Sequence, residues 1–371
     1  LRVNMKKTSG VKDLVIILCL VFFLVGFGCL MVYSASFYSA QFNYGNKYFF
    51  LLKQLLGVGM GIGTLCLFYF IDYHLLSKLK WWIVGASIVL LALVFVPGLG
   101  MESYGAKRWV SILGFSIQPS EIAKFAIVIF SASYMSEHHD DMKTFKGLLP
   151  VLCVGGVMCL LIMLEPSMSV TMCICFVCLF MLIIGGMSKK HTLMFSVPAG
   201  ACVPLLIILE PYRLKRLLAF IDPWASPQGE GFQLIQSLYS LGSGGWFGRG
   251  IFASRQKCLF LPFAESDFIL SIIGEEVGFV GTTLLLGVFL WLVIKLIKIA
   301  LNAPDRFGAL LSAGISFIIG VQTLLNVAVV TGSIPPTGLP LPFISSGGTS
   351  VMMFMAGIGM CLNVARQSRR R

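Results

Sequence analysis

The chain has 371 residues, of which 57% are hydrophobic and only 12% charged, and its net charge is +12. A mean hydropathy of +0.90 excludes an ordinary soluble domain, and the basic excess comes without a basic stripe interleaved with aromatics, which argues against a nucleic-acid partner. Apolar runs of about 20 residues recur from end to end, each long enough to cross a hydrocarbon core as a helix. Strand-like alternation is absent, which argues against a barrel. The composition reads as an all-α polytopic membrane protein, a single membrane domain over residues 1–371.

Ten spans are expected, in chain order. Arg2, Lys6, Lys7 and Lys12 precede the first, 14–36, whose apolar core is longer than that of a cleaved signal peptide, so it is read as uncleaved. The second, 47–71, carries Gly57, Gly59, Gly61 and Gly63, a pattern that lets neighbouring helices approach. The third is 81–96. A polar loop, 97–119, then carries Gly-Ala-Lys-Arg-Trp at 105–109. The fourth span, 120–136, opens at Pro119-Ser120, both suited to a helix start. Glu121 and Lys124 lie one turn inside it on one face. The fifth (147–164) and sixth (167–186) spans meet at Glu165-Pro166, and Lys189-Lys190 separate the sixth from the seventh, 191–209.

The segment 210–266 reads as the only loop large enough to hold structure of its own. Span eight, 267–297, is expected to begin at Asp267 and to carry Glu275 and Glu276 about two turns in. Span nine, 309–331, leads through a Pro/Gly/Ser hairpin at 335–348 to span ten, 348–364. Of the 28 Lys and Arg, 17 fall on the side that holds both termini, which is therefore expected to be cytoplasmic. The 97–119 loop, the 210–266 loop, Asp267 and the hairpin then face outward.

Of the 11 cysteines only Cys258 lies in a polar loop, which excludes a disulfide framework. Cys173, Cys175 and Cys178 share one span with no His or acid beside them, a poor set of metal ligands. His74, His138, His139 and His191 fall on the side opposite the acids, which argues against histidine-based catalysis.

Lys107, Arg108, Arg213, Lys215, Arg216, Arg249, Arg255 and Lys257 gather on the outward side. They are either solvated loop charge or an anion site for a phosphate-bearing lipid, where Arg binds bidentately. Asp267 is either a helix cap or a general base beside those cations. Glu121–Lys124 is either a structural ion pair or a pair that orients a substrate or metal. Glu275 either pairs with a neighbouring helix or serves the site, since carboxylates at membrane depth need a partner or a task. The hairpin is either a plain turn or the non-helical lining of a cavity.

The ordered set GAKRW, QPSEIAK (118–124), YRLKRLLAFIDPW (212–224), GFQLIQSLYSLGSGGWFGRG (231–250), SRQK followed by LPFAESDFI and EEVGFVG (254–281), and GLPLPFISSGGTS (338–350) resembles the SEDS family (shape, elongation, division, sporulation), its FtsW/SpoVE branch above all, with RodA as the near relative. The resemblance covers nearly the whole chain. It implies a ten-span glycosyltransferase that polymerises lipid II, the undecaprenyl-pyrophosphate disaccharide-pentapeptide, into β-1,4 glycan strands for division or sporulation. It implies a class B penicillin-binding protein as partner transpeptidase, along with other divisome or sporulation membrane proteins. Asp267 matches the family's essential loop acid, and Glu121 and Lys124 match residues linked to activity. Lys107, Arg108, Trp109, Arg213, Arg216, Gln236, Lys257, Glu275, Pro340, Ser345, Ser346 and Gly347 are the candidate binding or supporting residues. A divalent cation, Mg or Mn, is implied less firmly and its ligands stay open.

Two positions depart from the family. Pro166-Ser167-Met168-Ser169 stands where Pro-Asp-Leu-Gly is common, and Ser266 replaces the usual Thr before the loop aspartate. In the combined reading Asp267 takes the proton of the acceptor's 4-hydroxyl, and Lys107, Arg108, Arg213 and Arg216 meet the leaving pyrophosphate. The rival readings are a transporter that flips lipid II and a non-catalytic scaffold of the division machinery. The outward clustering of the charges favours chemistry at the outer surface over transport.

Overall fold

The computed structural model describes residues 11–103, 106–112, 115–165, 167–208 and 211–369. In chain order the elements are α1 (Val11–Tyr44), α2 (Phe49–Phe70), α3 (His74–Lys78), α4 (Lys80–Leu93), β1 (Gly100–Ser103), β2 (Ala106–Ile112), β3 (Phe115–Ile117), α5 (Pro119–Glu137), α6 (Phe145–Leu164), α7 (Met168–Gly185), α8 (Lys189–Ile208), α9 (Pro211–Ile221), α10 (Phe232–Gly244), α11 (Ile269–Leu301), α12 (Arg306–Val330) and α13 (Gly348–Ser368). Each apolar stretch of the sequence became a helix. Among the described residues, α1, α2, α6, α7, α11, α12 and α13 are long and apolar enough to cross a membrane. The large apolar side chains left exposed on them, such as Leu55, Leu56, Leu284, Leu290 and Trp291, are what a lipid-facing surface requires. The chain is a multi-pass membrane protein.

Helix α5 is buried on nearly every face and packs against α4, α7 and α12. Phe125, Ile127 and Phe130 fill the centre, with Phe125 edge-on to Phe354 of α13 at 5.6 Å between ring centroids. Because α5 is central, Glu121 and Lys124 are fully buried. Along α2 the glycines divide. A Cβ at Gly57 would collide with Gly348 and one at Gly61 with Met355, whereas Gly59 and Gly63 face open space. Close helix approach therefore holds for alternate glycines, those on the α13 side.

Two expectations are corrected. The 97–119 loop also holds structure, a three-stranded antiparallel sheet in the order β1-β2-β3, with Gly100 opposite Val110 and Val110 opposite Ile117. Thr349, at the start of α13, donates to Ser116 O and accepts from Gln118 N, both at 3.3 Å, and so ties the sheet to the bundle. Asp267 does not cap the eighth long helix, which begins at Ile269 with Phe268 at the cap position.

That helix is broken at Gly278, which has φ 71° and ψ −173°. The freed backbone groups are met by the glycine-rich segment after α10. Arg249 N donates to Glu275 O (3.0 Å) and Gly250 N to Glu276 O (3.0 Å), while Phe279 N donates to Gly245 O (2.9 Å) and Val280 N to Trp246 O (3.0 Å). An interrupted helix inside an apolar bundle needs this kind of substitute pairing. A Cβ at Gly278 would strike the Gly248 backbone, so close approach and the left-handed φ both demand glycine. Gly278→Ala is expected to cost about 1–3 kcal/mol, read as a fall in melting temperature of the purified protein in detergent. Gly59→Ala, with open space around it, is expected to leave the melting temperature unchanged or slightly raised.

Candidate active site

The 335–348 hairpin leaves α12 and returns over the end of the bundle, and polar side chains from α12 and α2 hold its backbone. Asn326 Nδ2 donates to Leu339 O (2.8 Å) and to Asp267 O (2.9 Å). Gln322 Nε2 donates to Pro340 O at 2.8 Å. Gln54 bridges with its Nε2 to Ser345 O and its Oε1 from Gly347 N, both at 3.3 Å. Beneath Gln322 lies the α5 pair, in which Lys124 Nζ donates to Gln322 Oε1 (2.5 Å) and to Glu121 Oε1 (2.7 Å). The Glu121–Lys124 pair thus supports Pro340 through one intervening amide.

The hairpin in turn fixes the acid loop. Ser345 Oγ donates to Ser266 O at 2.6 Å and accepts from Leu341 N at 2.8 Å, and Ser346 N donates to Glu265 O at 2.9 Å. Gly338 adopts φ +72°, and a Cβ there would sit 3.2 Å from Asp267 Oδ2. Asp267 is therefore gripped at its backbone by Asn326 while its partly exposed carboxylate lies against Gly338. Burial pushes that carboxyl up to about 6, and the charges of Arg108 and Arg216 act against the rise. Burial also raises Glu265, with Asp267 adding to it.

The arginines come from separate elements. Arg108 sits on β2 and its Nε donates to the backbone carbonyl of Glu165 at 3.3 Å. Arg216 sits on α9, where its Nη1 reaches Pro336 O at 3.5 Å. Ser169 Oγ, at the start of α7, donates to Thr337 O. Sheet, α7, α9, acid loop and hairpin thus meet at one place, and the charges of two arginines from separate elements act on one acid.

Other expected residues lie elsewhere. Lys257 is buried, with its Nζ donating to Glu276 Oε1 (2.9 Å) and Ser34 Oγ (3.0 Å). Glu275 accepts from Ser254 Oγ (2.6 Å), Arg255 N (3.0 Å), Gln256 N (3.3 Å) and Ser240 Oγ (3.3 Å). These groups clamp the 249–257 segment onto α11. Glu275 and Glu276 are therefore loop anchors, with their partners supplied by that segment. Trp109, opposite Met101, is partly exposed on β2, as is Gln236 on α10. Lys107 and Arg213 have backbones in β2 and α9, but their side chains lie outside the described residues.

Sequence reasoning missed Gln54, Gln322 and Asn326, although a lone amide in an apolar span is itself a signal. It also passed over Glu165, whose side chain is 1% exposed with neither carboxylate oxygen hydrogen-bonded. Among the described residues no three His, Cys, Asp or Glu converge to hold a metal ion, and no step is assigned to one. Asn326→Leu strands two carbonyls at once and is expected to lower stability by about 2–6 kcal/mol. Thermal unfolding of the purified protein in detergent checks it.

Comparison with known proteins places this arrangement. The FtsW/RodA/SpoVE model, described as cell cycle protein, matches residues 14–370. Stage V sporulation protein E of Bacillus subtilis (strain 168) is 39% identical over 365 residues, covering 98% of this chain and 99% of the relative. A probable peptidoglycan glycosyltransferase FtsW of Geobacter sp. (strain M18) is 37% identical over 371 residues, with 98% and 99% covered. A chain solved in a study of the structural coordination of polymerization and crosslinking by a peptidoglycan synthase complex superimposes with a TM-score of 0.78 at 29% identity, over 96% of this chain and 98% of that one. The rod shape determining protein RodA of Thermus thermophilus does so with 0.69 at 26% identity, over 95% and 96%. A family match over nearly the whole length, on the same fold, makes the chain a member of the FtsW/RodA/SpoVE family of cell cycle proteins.

Proposed function

We propose that this protein is a peptidoglycan glycosyltransferase that polymerises lipid II into β-1,4 glycan strands at the outer face of the cytoplasmic membrane. The observation that carries the reading is Asp267, a partly buried acid immobilised by the hairpin and faced by Arg108 and Arg216. The Geobacter relative is a probable peptidoglycan glycosyltransferase by description, and a similar solved chain comes from a study of polymerization and crosslinking by a peptidoglycan synthase complex. Ten spans, formed by α1, α2, α4 to α8 and α11 to α13, with both termini cytoplasmic, put Asp267 and the arginines outside. The natural partner is a class B penicillin-binding protein that crosslinks the strands, within the division or sporulation machinery.

The chemistry follows from the charges. Asp267 takes the proton from the 4-hydroxyl of the acceptor sugar as that oxygen bonds to the anomeric carbon of the donor. The bond from that carbon to the pyrophosphate breaks, the pyrophosphate departs with the electron pair, and the anomeric configuration inverts. A carboxyl that titrates at about 6 is largely ionised at neutral pH yet more basic than a solvated aspartate, which suits a general base. Arg108 and Arg216 meet the charge that develops on the leaving pyrophosphate, a site in which fixed cations are already oriented before reaction. Lys107 and Arg213, neighbours on the same elements, add to the anion-binding charge. Glu121 and Lys124 act through Gln322 on the hairpin, so they position and do not touch substrate.

Glycan strands are expected when purified protein, with a cognate transpeptidase, is given labelled lipid II. Asp267→Asn is expected to insert and fold normally and to lose about 10²–10⁴-fold in polymerisation rate. Normal strands from that variant would remove Asp267 from the role. Movement of lipid II across vesicles by wild type, without strands, would replace the enzyme with a transporter.

A further inference from the structure

A second group of cations lies two turns along α11 from Asp267. There α10, the 249–257 segment and α11 border an open cavity of about 420 Å³, whose wall includes Tyr239, Ser243, Arg249, Arg255, Gln256 and Glu275. Its size is that of a ligand site. Arg255 is exposed, and its guanidinium has no hydrogen-bond or ion-pair partner among the described residues. Arg249 gives its Nε to Ser243 O (3.3 Å) and sets Nη1 at 3.6 Å from Glu275 Oε1, which leaves Nη2 to spare. Glu275 does not cancel both cations, because its oxygens already accept from Ser254 Oγ, Arg255 N, Gln256 N and Ser240 Oγ. Gln256 has its Oε1 buried without a partner, a polar atom still to be met.

Guanidiniums with donors to spare suit phosphate oxygens, which they bind bidentately. Beyond them the surface turns apolar. Trp246 and Phe247, on the segment that pairs with the broken turn of α11, are 68% and 83% exposed. Phe279, edge-on to Trp246 at 5.4 Å between ring centroids, is exposed as well. The order along α11 is therefore carboxylate, cations, aromatics. The helix rises about 9 Å from Ile269 to Glu275, close to the length of two linked sugar rings.

On the reading that Asp267 is the base, we infer that this cavity holds the pyrophosphate of the acceptor lipid. Polymerisation brings two pyrophosphate-linked lipids together, and only in the donor does the bond from the anomeric carbon to pyrophosphate break. The acceptor offers the 4-hydroxyl at the far end of its disaccharide and keeps its own pyrophosphate and polyprenyl chain. Arg108 and Arg216 serve the leaving group, so the retained pyrophosphate needs cations of its own. With the 4-hydroxyl at Asp267, the disaccharide follows α11, the pyrophosphate meets Arg249 and Arg255, and the chain passes Trp246 and Phe247 into the bilayer. Sugar, phosphate and hydrocarbon then match carboxylate, cations and aromatics in order.

The test separates acceptor from donor. Lipid II blocked at its 4-hydroxyl serves only as donor, and labelled lipid II, kept limiting beside it, reports acceptor use. Varying each in turn, in neutral detergent, gives a KM for each. Arg255→Glu is expected to raise the acceptor KM on the order of tenfold, with the donor KM and kcat changed much less. Arg255→Lys is expected to raise it less, since the charge stays and the bidentate grip goes. Arg255→Ala is expected to keep the wild-type melting temperature, because the side chain has no partner to lose. An unchanged acceptor KM in Arg255→Glu would overturn the inference, as would equal rises in both KM values or a fall in kcat alone. An effect confined to vesicles containing phosphatidylglycerol would assign the cavity to bulk phospholipid headgroups and overturn it too. Wild type that couples nothing would sink the enzyme reading and this inference together, whereas the other outcomes sink the inference alone.

Discussion

A backbone that leaves its helix inside an apolar bundle must find hydrogen bonds, and this structure depends on how Gln322 and Asn326 supply them. Both stand on α12 and face the returning hairpin. Asn326 holds Leu339 and Asp267 with a single amide, so that hairpin and acid loop are fixed relative to one another by one side chain. Gln322 carries the support one step deeper, to Lys124 and Glu121 on the central helix. A buried ion pair is weak evidence for stability in itself. Here its placement gives it a task, since Lys124 orients the amide that receives Pro340.

A second set of buried charges does different work. Glu275, Glu276 and Lys257 hold the 249–257 segment against the break in α11. The break at Gly278 lets the segment pair with α11 backbone, and the carboxylates fasten its far end. The same helix therefore presents the acid loop before its first turn and anchors the 249–257 segment two turns in. The electrostatics separate accordingly. Lys257 is spent on structure, while the charges of Arg108 and Arg216 act on Asp267.

Much of this was legible in the sequence. Long apolar runs must be helices in a membrane, because only a helix satisfies its own backbone there, and each run became one. Asp267 could be singled out because charge at the end of an apolar run needs a reason, and Arg108 and Arg216 because basic residues cluster in the two segments expected to face outward. The sheet at 100–117 could not be foreseen, since its strands are three to seven residues long and carry no alternation. Glu275 read as a site acid because its partners come from a loop some 20 residues away in sequence, a pairing that only the tertiary fold creates. Glu165 read as part of a turn, and nothing local to it announces that Arg108, 57 residues earlier, lies beside it.

The claim on which the account stands is that Asp267, partly desolvated and balanced by two arginines, is the base of the reaction. Its most direct test is the pH dependence of kcat/KM for lipid II polymerisation, which reports the ionisation of the free enzyme. The account predicts an acid limb with a midpoint at about 6, and a shift of that limb to higher pH in Arg216→Ala, because removing a facing cation makes the carboxylate harder to form. A profile with no acid limb in that region, or one that Arg216→Ala leaves in place or moves to lower pH, would contradict it.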